Sequence, residues 1–181
     1  YTFCMCPGGY VIPSSCQKEQ LVVNGMSYAS RSGENANSAL LVQINDSDYG
    51  NELFAGLKYQ EELERKAFLM GQDYKACVQL AKDYLAHRVS KQFESVVPTY
   101  SIGTTFCDLN DLFSKEVNLA LHEALEHFEK KVPGFVSSGA ILSAVESRSS
   151  SSVRLVRDKE SYISNIQGLY PSGEGSGYAG G

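Results

Sequence analysis

The chain has 181 residues and 19.8 kDa, 43% of them hydrophobic and 20% charged, a composition that excludes a disordered or collagen-like chain and fits one folded domain. With 16 Lys and Arg against 21 Asp and Glu, the net charge of −5 argues against a protein that grips nucleic acid by its phosphates. No apolar run reaches the ~18 residues of a membrane span, and an odd, scattered set of cysteines (Cys4, Cys6, Cys16, Cys77, Cys107) points to a reducing, cytoplasmic setting.

The first third reads as strands and turns. Residues 8–13 (GGYVIP) are a turn entering a strand, and residues 20–23 (QLVV) are a second strand closed by Asn24-Gly25, a tight-turn signal. Residues 30–37 form a polar loop, and residues 38–44 a strand buried on both faces. The middle is helical. Tyr59, Leu63, Ala67 and Met70 mark an amphipathic helix ending at Gly71, and Tyr74, Cys77, Val78, Ala81 and Leu85 continue the pattern. Residues 108–113 are a short helical turn. Val117, Leu121, Ala124, Leu125, Phe128 and Val132 stripe a helix stopped by Pro133-Gly134. Strands return at residues 140–145, 153–156 and 167–170. The order predicts an α+β fold: a mixed, largely antiparallel sheet with a helical insertion, about residues 55–132, packed on one side.

Four segments carry candidate chemistry. In residues 168–181 (GLYPSGEGSGYAGG) a short strand runs into a glycine-rich turn and small residues suited to opening a helix. Glycines admit a ligand close to the backbone, and Glu174 stands at the strand's carboxyl end; the alternative is a flexible tail. Cys4 and Cys6 lie two apart, on one side of an extended chain, as a redox pair or half a metal site. No second ligand pair supports zinc, and C-x-C geometry disfavours a disulfide, so small core residues are the plainer reading. His122 and His127 are five apart, about 140° around a helix, so they share no metal and sit as exposed helix positions, while His87 stands alone. Residues 147–157 (SRSSSSVRLVR) offer Arg148, Arg154 and Arg157 as holders of a carboxylate or phosphate, or an exposed hairpin loop; Glu146 faces inward if Ala144 does. Residues 24–28 and 31–37 are rich in Asn, lining a polar pocket or serving turns.

Residues 3–11 (FCMCPGGYV), 24–27 (NGMS), Arg31 with 35–42 (NANSALLV), 145–150 (VESRSS), Val153, Arg154, Arg157, Asp158 and 168–181, in that order, resemble the uncharacterised bacterial FAD-dependent dehydrogenases, flavoproteins of the two-dinucleotide-fold type. Pro133-Gly134-Phe135 fits as well; Cys77 and Ser152 stand where the family pattern leads us to expect proline. The resemblance implies a cytoplasmic NAD(P)/FAD-dependent oxidoreductase with an N-terminal Rossmann segment carrying G-x-G-x-x-G. No copy follows a strand here, and no initiator methionine or signal-like segment opens the chain. The reading is therefore an internal fragment: residues 1–165 as substrate or cap domain and residues 166–181 as the start of the closing FAD-binding segment. By the same resemblance Pro7, Gly8 and Gly9 pass the isoalloxazine, and Gly173, Glu174, Gly175, Gly177 and Gly180 lie near the ribityl and pyrophosphate. Arg148 and Arg154 face a small-molecule substrate, and the helix start meets the flavin pyrimidine edge. Cys4 and Cys6 are the candidate catalytic residues, and NADH or NADPH would serve the parent. The fragment alone is expected to bind FAD weakly or not at all and to be inactive, with no metal, nucleic-acid or membrane partner. The rival readings are a flavin-dependent RNA-modifying enzyme, which the charge disfavours, and a non-enzymatic interaction domain.

Overall fold

The structure, a computed structural model, describes residues 1–137 and 139–177. The chain divides into two compact units, one of Tyr1–Gln43 with Glu62–Ser147 and one of Ile44–Glu61 with Arg148–Gly181.

Among the described residues the first unit holds three small sheets. Strand β1 (Thr2–Cys6) pairs antiparallel with β4 (Asn37–Leu40), and β2 (Gly9–Pro13) pairs antiparallel with β3 (Val23–Ser27). In the third sheet β5 (Ala76–Leu80) is central, parallel to β6 (Thr104–Phe106) and antiparallel to β7 (Ile141–Ala144). The α+β class is as read, but the strands are spread over three sheets rather than gathered into one. Every residue of β5 is buried, which is why its sequence shows no inside–outside alternation. Leu21, Ala67, Val78, Tyr84, Leu112 and Leu125 form the heart of the core around it.

Helices accompany these strands. Helix α2 (Ala55–Gly71) begins in the second unit, after the four-residue α1 (Asp46–Tyr49). Side chains of the central sheet meet carbonyls of its last turns: Cys77 Sγ donates to Ala67 O and Cys107 Sγ to Met70 O, both at 3.2 Å, and Thr105 Oγ1 donates to Gly71 O at 2.7 Å. The adjacent Cys107 thiol, together with burial, pushes the Cys77 thiol up, so Cys77 stays a thiol. Helix α3 (Ala81–Leu85) leaves β5 directly. Helix α4 (Lys115–Lys131) starts at Ser114, whose hydroxyl accepts the Val117 N–H, and ends with Lys130 and Lys131 at its negative pole. In its last turn the Glu129 carboxylate accepts the N–H groups of Gly134, Val136 and Ser137 and the Ser137 hydroxyl, all beyond the helix. These bonds, the hydroxyl's foremost, lower its pKa to about 2.

Several expectations are corrected. Residues 74–85 are not one helix but β5 followed by α3, because five consecutive buried positions fit a doubly covered strand as well as a helix stripe. Asn24-Gly25 is no turn: both sit inside β3, opposite Ile12 and Val11. The strand expected at residues 38–44 is β4 alone, with only Ala39 buried. Residues 153–156 and 167–170 form no strand; a lone bridge joins Arg157 to Ser164, and Leu155 and Val156 are exposed. The helical turn near residue 110 is a 3-10 turn, Leu109–Asp111.

Candidate functional site

Two clusters gather the residues singled out above, one in each unit. The first is built where β1 and β4 meet β2 and β3. Pro7 is exposed at the turn from β1 into β2, Gly8 is half-buried and Gly9 buried. The Gly9 N–H donates to Asn35 O at 2.7 Å. Gly8 has φ +60°, and a Cβ there would stand 2.1 Å from the carbonyl oxygen of Arg31. A Cβ on Gly9 would stand 2.4 Å from Asn37 Nδ2, and one on Gly25 2.1 Å from Asn37 Oδ1. The glycines of this cluster therefore make room for the chain's own Arg31–Asn37 segment, which the Asn-rich composition had marked only as pocket or turns. Asn37 lies opposite Cys6, with its carboxamide wedged between Gly9 and Gly25, and both amide atoms are buried with no hydrogen-bond partner among the described residues.

Cys4 and Cys6 do not form a matched pair. From Phe3 to Cys6 β1 advances three residues while β4 advances two, from Ala39 to Asn37, so β1 bulges at Cys4 and Met5. Cys4 has φ +56° and is exposed, whereas Cys6 is half-buried with its thiol 3.9 Å from Gly25 O. All five cysteines are free.

The second cluster joins the serine–arginine loop to the glycine-rich segment. The Leu155 N–H donates to Gly175 O at 2.7 Å, and a Cβ on Gly175 would touch Ser151 Oγ and Val153 O at 3.1 Å. Glu174 to Ser176 form a 3-10 turn closed by Gly177 N–H on Glu174 O at 2.8 Å. Gly173 (φ +85°) and Gly177 (φ +89°) have nothing among the described residues within 4 Å of their Cβ directions. Side chains are thus kept off this backbone on its outer side. Glu174 is exposed; Gly180 and the expected helix start lie outside the described residues. Arg157, half-buried, donates to Pro171 O at 2.6 Å and lies 5.1 Å over the Tyr162 ring, so it serves the loop. Arg148 and Arg154 are exposed.

Spacing also missed a polar patch in the first unit. His87 is not alone: its ring stands 4.9 Å from that of His122, which is half-buried rather than exposed. Asn110 Nδ2 donates to Tyr84 O and Asp108, so its Oδ1 accepts from His122 Nε2 at 3.0 Å. Burial, then the nearby His87, lowers the His122 pKa. Glu146, after the buried Ala144, is half-buried, and burial raises its carboxyl pKa. Ser147 donates to the fully buried Glu64 at 2.6 Å, an acid that helix spacing gave no reason to place inside. Only a contact across 83 residues reveals it.

An FAD-binding role is consistent with the open-faced glycines 173 and 177. Residues 1–149 match the family described as "FAD-dependent protein, C-terminal domain-like". An uncharacterized protein of Clostridium beijerinckii is 43% identical over 183 residues, covering all of this chain and 34% of that protein. The chain thus spans about a third of the length of this curated relative. Matched over residues 1–149 and similar to that relative along its whole length, the chain belongs to the FAD-dependent protein C-terminal domain-like family.

Proposed function

We propose that this chain is the substrate-side part of an FAD-dependent oxidoreductase of the dehydrogenase type. The flavin supplies hydride transfer, and the protein supplies binding, orientation and electrostatics. The observation that carries the reading is the family match over residues 1–149. Gly173, Glu174, Gly175 and Gly177 take the cofactor side, where Gly173 and Gly177 leave the backbone open to close approach. Pro7, Gly8 and Gly9 supply a second cofactor-facing segment, with the Pro7 side of the turn exposed and the Cβ side of both glycines filled by the chain itself. Arg148 and Arg154, both on the exposed loop, hold an anionic group of a small-molecule substrate. An odd number of scattered, unpaired cysteines supports a reducing, cytoplasmic site of action.

The test is flavin content and reduction of the full-length parent. Purified parent is expected to carry stoichiometric FAD, released on denaturation, and to bleach anaerobically with NADH or NADPH. A colourless parent that takes up no added FAD overturns the reading. The 181-residue chain alone is expected to bind FAD weakly or not at all.

A further inference from the structure

We propose that residues 153–170 are the seat on which the rest of the parent polypeptide, the part outside these 181 residues, packs. The inference uses no flavin chemistry and stands apart from the FAD reading above. Its starting point is a segment that holds its apolar side chains outward. Among residues 148–177 Ser176 alone is buried, while Leu155, Val156, Tyr162, Ile166, Leu169 and Tyr170 are all exposed, Val156 to 75% and Ile166 to 59%. The bonds that shape the segment are polar and local. The Asp158 carboxylate accepts the N–H groups of Glu160 and Ser161 and the Ser161 hydroxyl. Tyr162 N–H donates to Asp158 O and Leu169 N–H to Ile166 O, both at 3.1 Å. Turns of this kind cover no apolar area, so the hydrophobic gain available from these six side chains is not made within the segment. A single exposed apolar residue is ordinary, but six between residues 155 and 170 mark a contact surface.

Two further observations say what covers it. The family match stops at residue 149, whereas the similarity to the Clostridium beijerinckii protein runs through the whole chain. Residues 150–177 therefore follow the longer protein beyond the reach of the domain match. This chain spans 34% of that protein, so the covering body lies in the same polypeptide, tethered at high effective concentration. Residues 153–156 (VRLV) and 167–170 (QGLY) also carry strand signals, yet neither pairs with a strand among the described residues. Strand-forming segments left unpaired are suited to completion by a sheet from elsewhere.

The experiment follows amide hydrogen exchange in the full-length parent, reading residues 153–170 against β5 as internal reference. In the parent these residues are expected to exchange at least about tenfold more slowly than in the 181-residue chain alone, with β5 equally slow in both. Val156→Asp and Ile166→Asp place a charge on the seat. Each is expected to speed exchange across residues 153–170 in the parent and to lower its melting temperature by roughly 3 °C or more. In the isolated chain, where both positions are exposed, the shift is expected to stay under about 2 °C. Val156→Ser, which adds no charge, repeats the comparison if the aspartate variants do not fold. Should β5 exchange fast in the isolated chain, wild-type and variant parents are compared with each other. Residues 153–170 exchanging as open loops in the wild-type parent overturn the proposal. Equal protection in the isolated chain also overturns it, by placing the cover within the chain itself. So does a parent dimer, seen by sedimentation, that Val156→Asp dissolves, because the occupant is then a second copy. A colourless parent whose residues 153–170 are protected overturns the FAD reading and leaves this proposal standing.

Discussion

Replacing Gly8 by alanine separates a glycine required by the fold from one kept for a ligand. Gly8 has φ +60°, and the three atoms nearest an added Cβ are backbone: Arg31 O at 2.1 Å, Arg31 C at 2.2 Å and Ser32 N at 2.7 Å. A left-handed alanine costs about 1 kcal/mol. Forcing a methyl group against backbone that cannot rotate away adds about 1–3 kcal/mol. The sum is about 2–4 kcal/mol, or roughly 4–16 °C of melting temperature for a chain of this size. Gly103 provides the control within the same unit. It also has positive φ (+103°), but the nearest atom to its added Cβ is the Lys75 side chain at 3.9 Å, so Gly103→Ala should cost only the conformational term, about 1 kcal/mol. Urea or thermal melts without flavin compare the two. If Gly8→Ala melts like Gly103→Ala in apoprotein and differs only in flavin affinity, the packing argument is wrong and Gly8 serves the ligand.

Gln79 is fully buried, accepting the Leu109 N–H at 2.7 Å and donating to Arg88 O at 2.9 Å; Gln79→Leu strands both partners and should cost about 2–4 kcal/mol in urea melts. Glu129 titrates near 2 in the folded chain against an ordinary 4.5, so its hold on residues 134–137 is complete above pH 4.5 and fades as pH falls toward 2; Glu129→Gln should speed amide exchange of Gly134, Val136 and Ser137 at neutral pH. His122 should titrate in an NMR experiment below the ordinary histidine value, and His87→Ala should move its midpoint upward; an unmoved midpoint would refute the coupling of the two rings.

Legibility in the sequence followed the range of the interactions involved. Helices α2 and α4 could be read because their stripes recur within a turn or two and an end of each carries a local signal, Gly71 for one and Pro133-Gly134 for the other. Strand β5 could not, because a segment covered on both faces has no periodicity to display. Asn24-Gly25 misled for a different reason. The glycine that usually permits a turn is here a vacancy for the side chain of Asn37, twelve residues on, and no local rule contains that contact. The site divides in the same way. The glycine-rich and serine–arginine segments are visible as composition, but that Leu155 bonds to Gly175 is a matter of tertiary structure. Likewise His87 and His122 meet only because Asn110 fixes one ring and the chain at residue 87 takes φ +50° to bring the other alongside.

The glycines of the two clusters answer to different demands, and the difference bears on which of them a cofactor needs. At Gly8, Gly9 and Gly25 an added methyl group would strike the protein, so selection for folding alone accounts for them. At Gly173 and Gly177 an added methyl would strike nothing among the described residues, and those residues supply only the positive φ as a folding reason. Gly177 (φ +89°, ψ +37°) is left-handed, a conformation Asn tolerates at modest cost, whereas Gly173 (φ +85°, ψ −170°) takes one that essentially only glycine adopts. Gly177→Asn therefore preserves much of the conformation while placing a side chain on the open face. If that face receives the cofactor, Gly177→Asn should keep most of its apoprotein stability and lose flavin affinity in the full-length parent. Should it bind flavin as wild type does, Gly177 is a turn residue and nothing more.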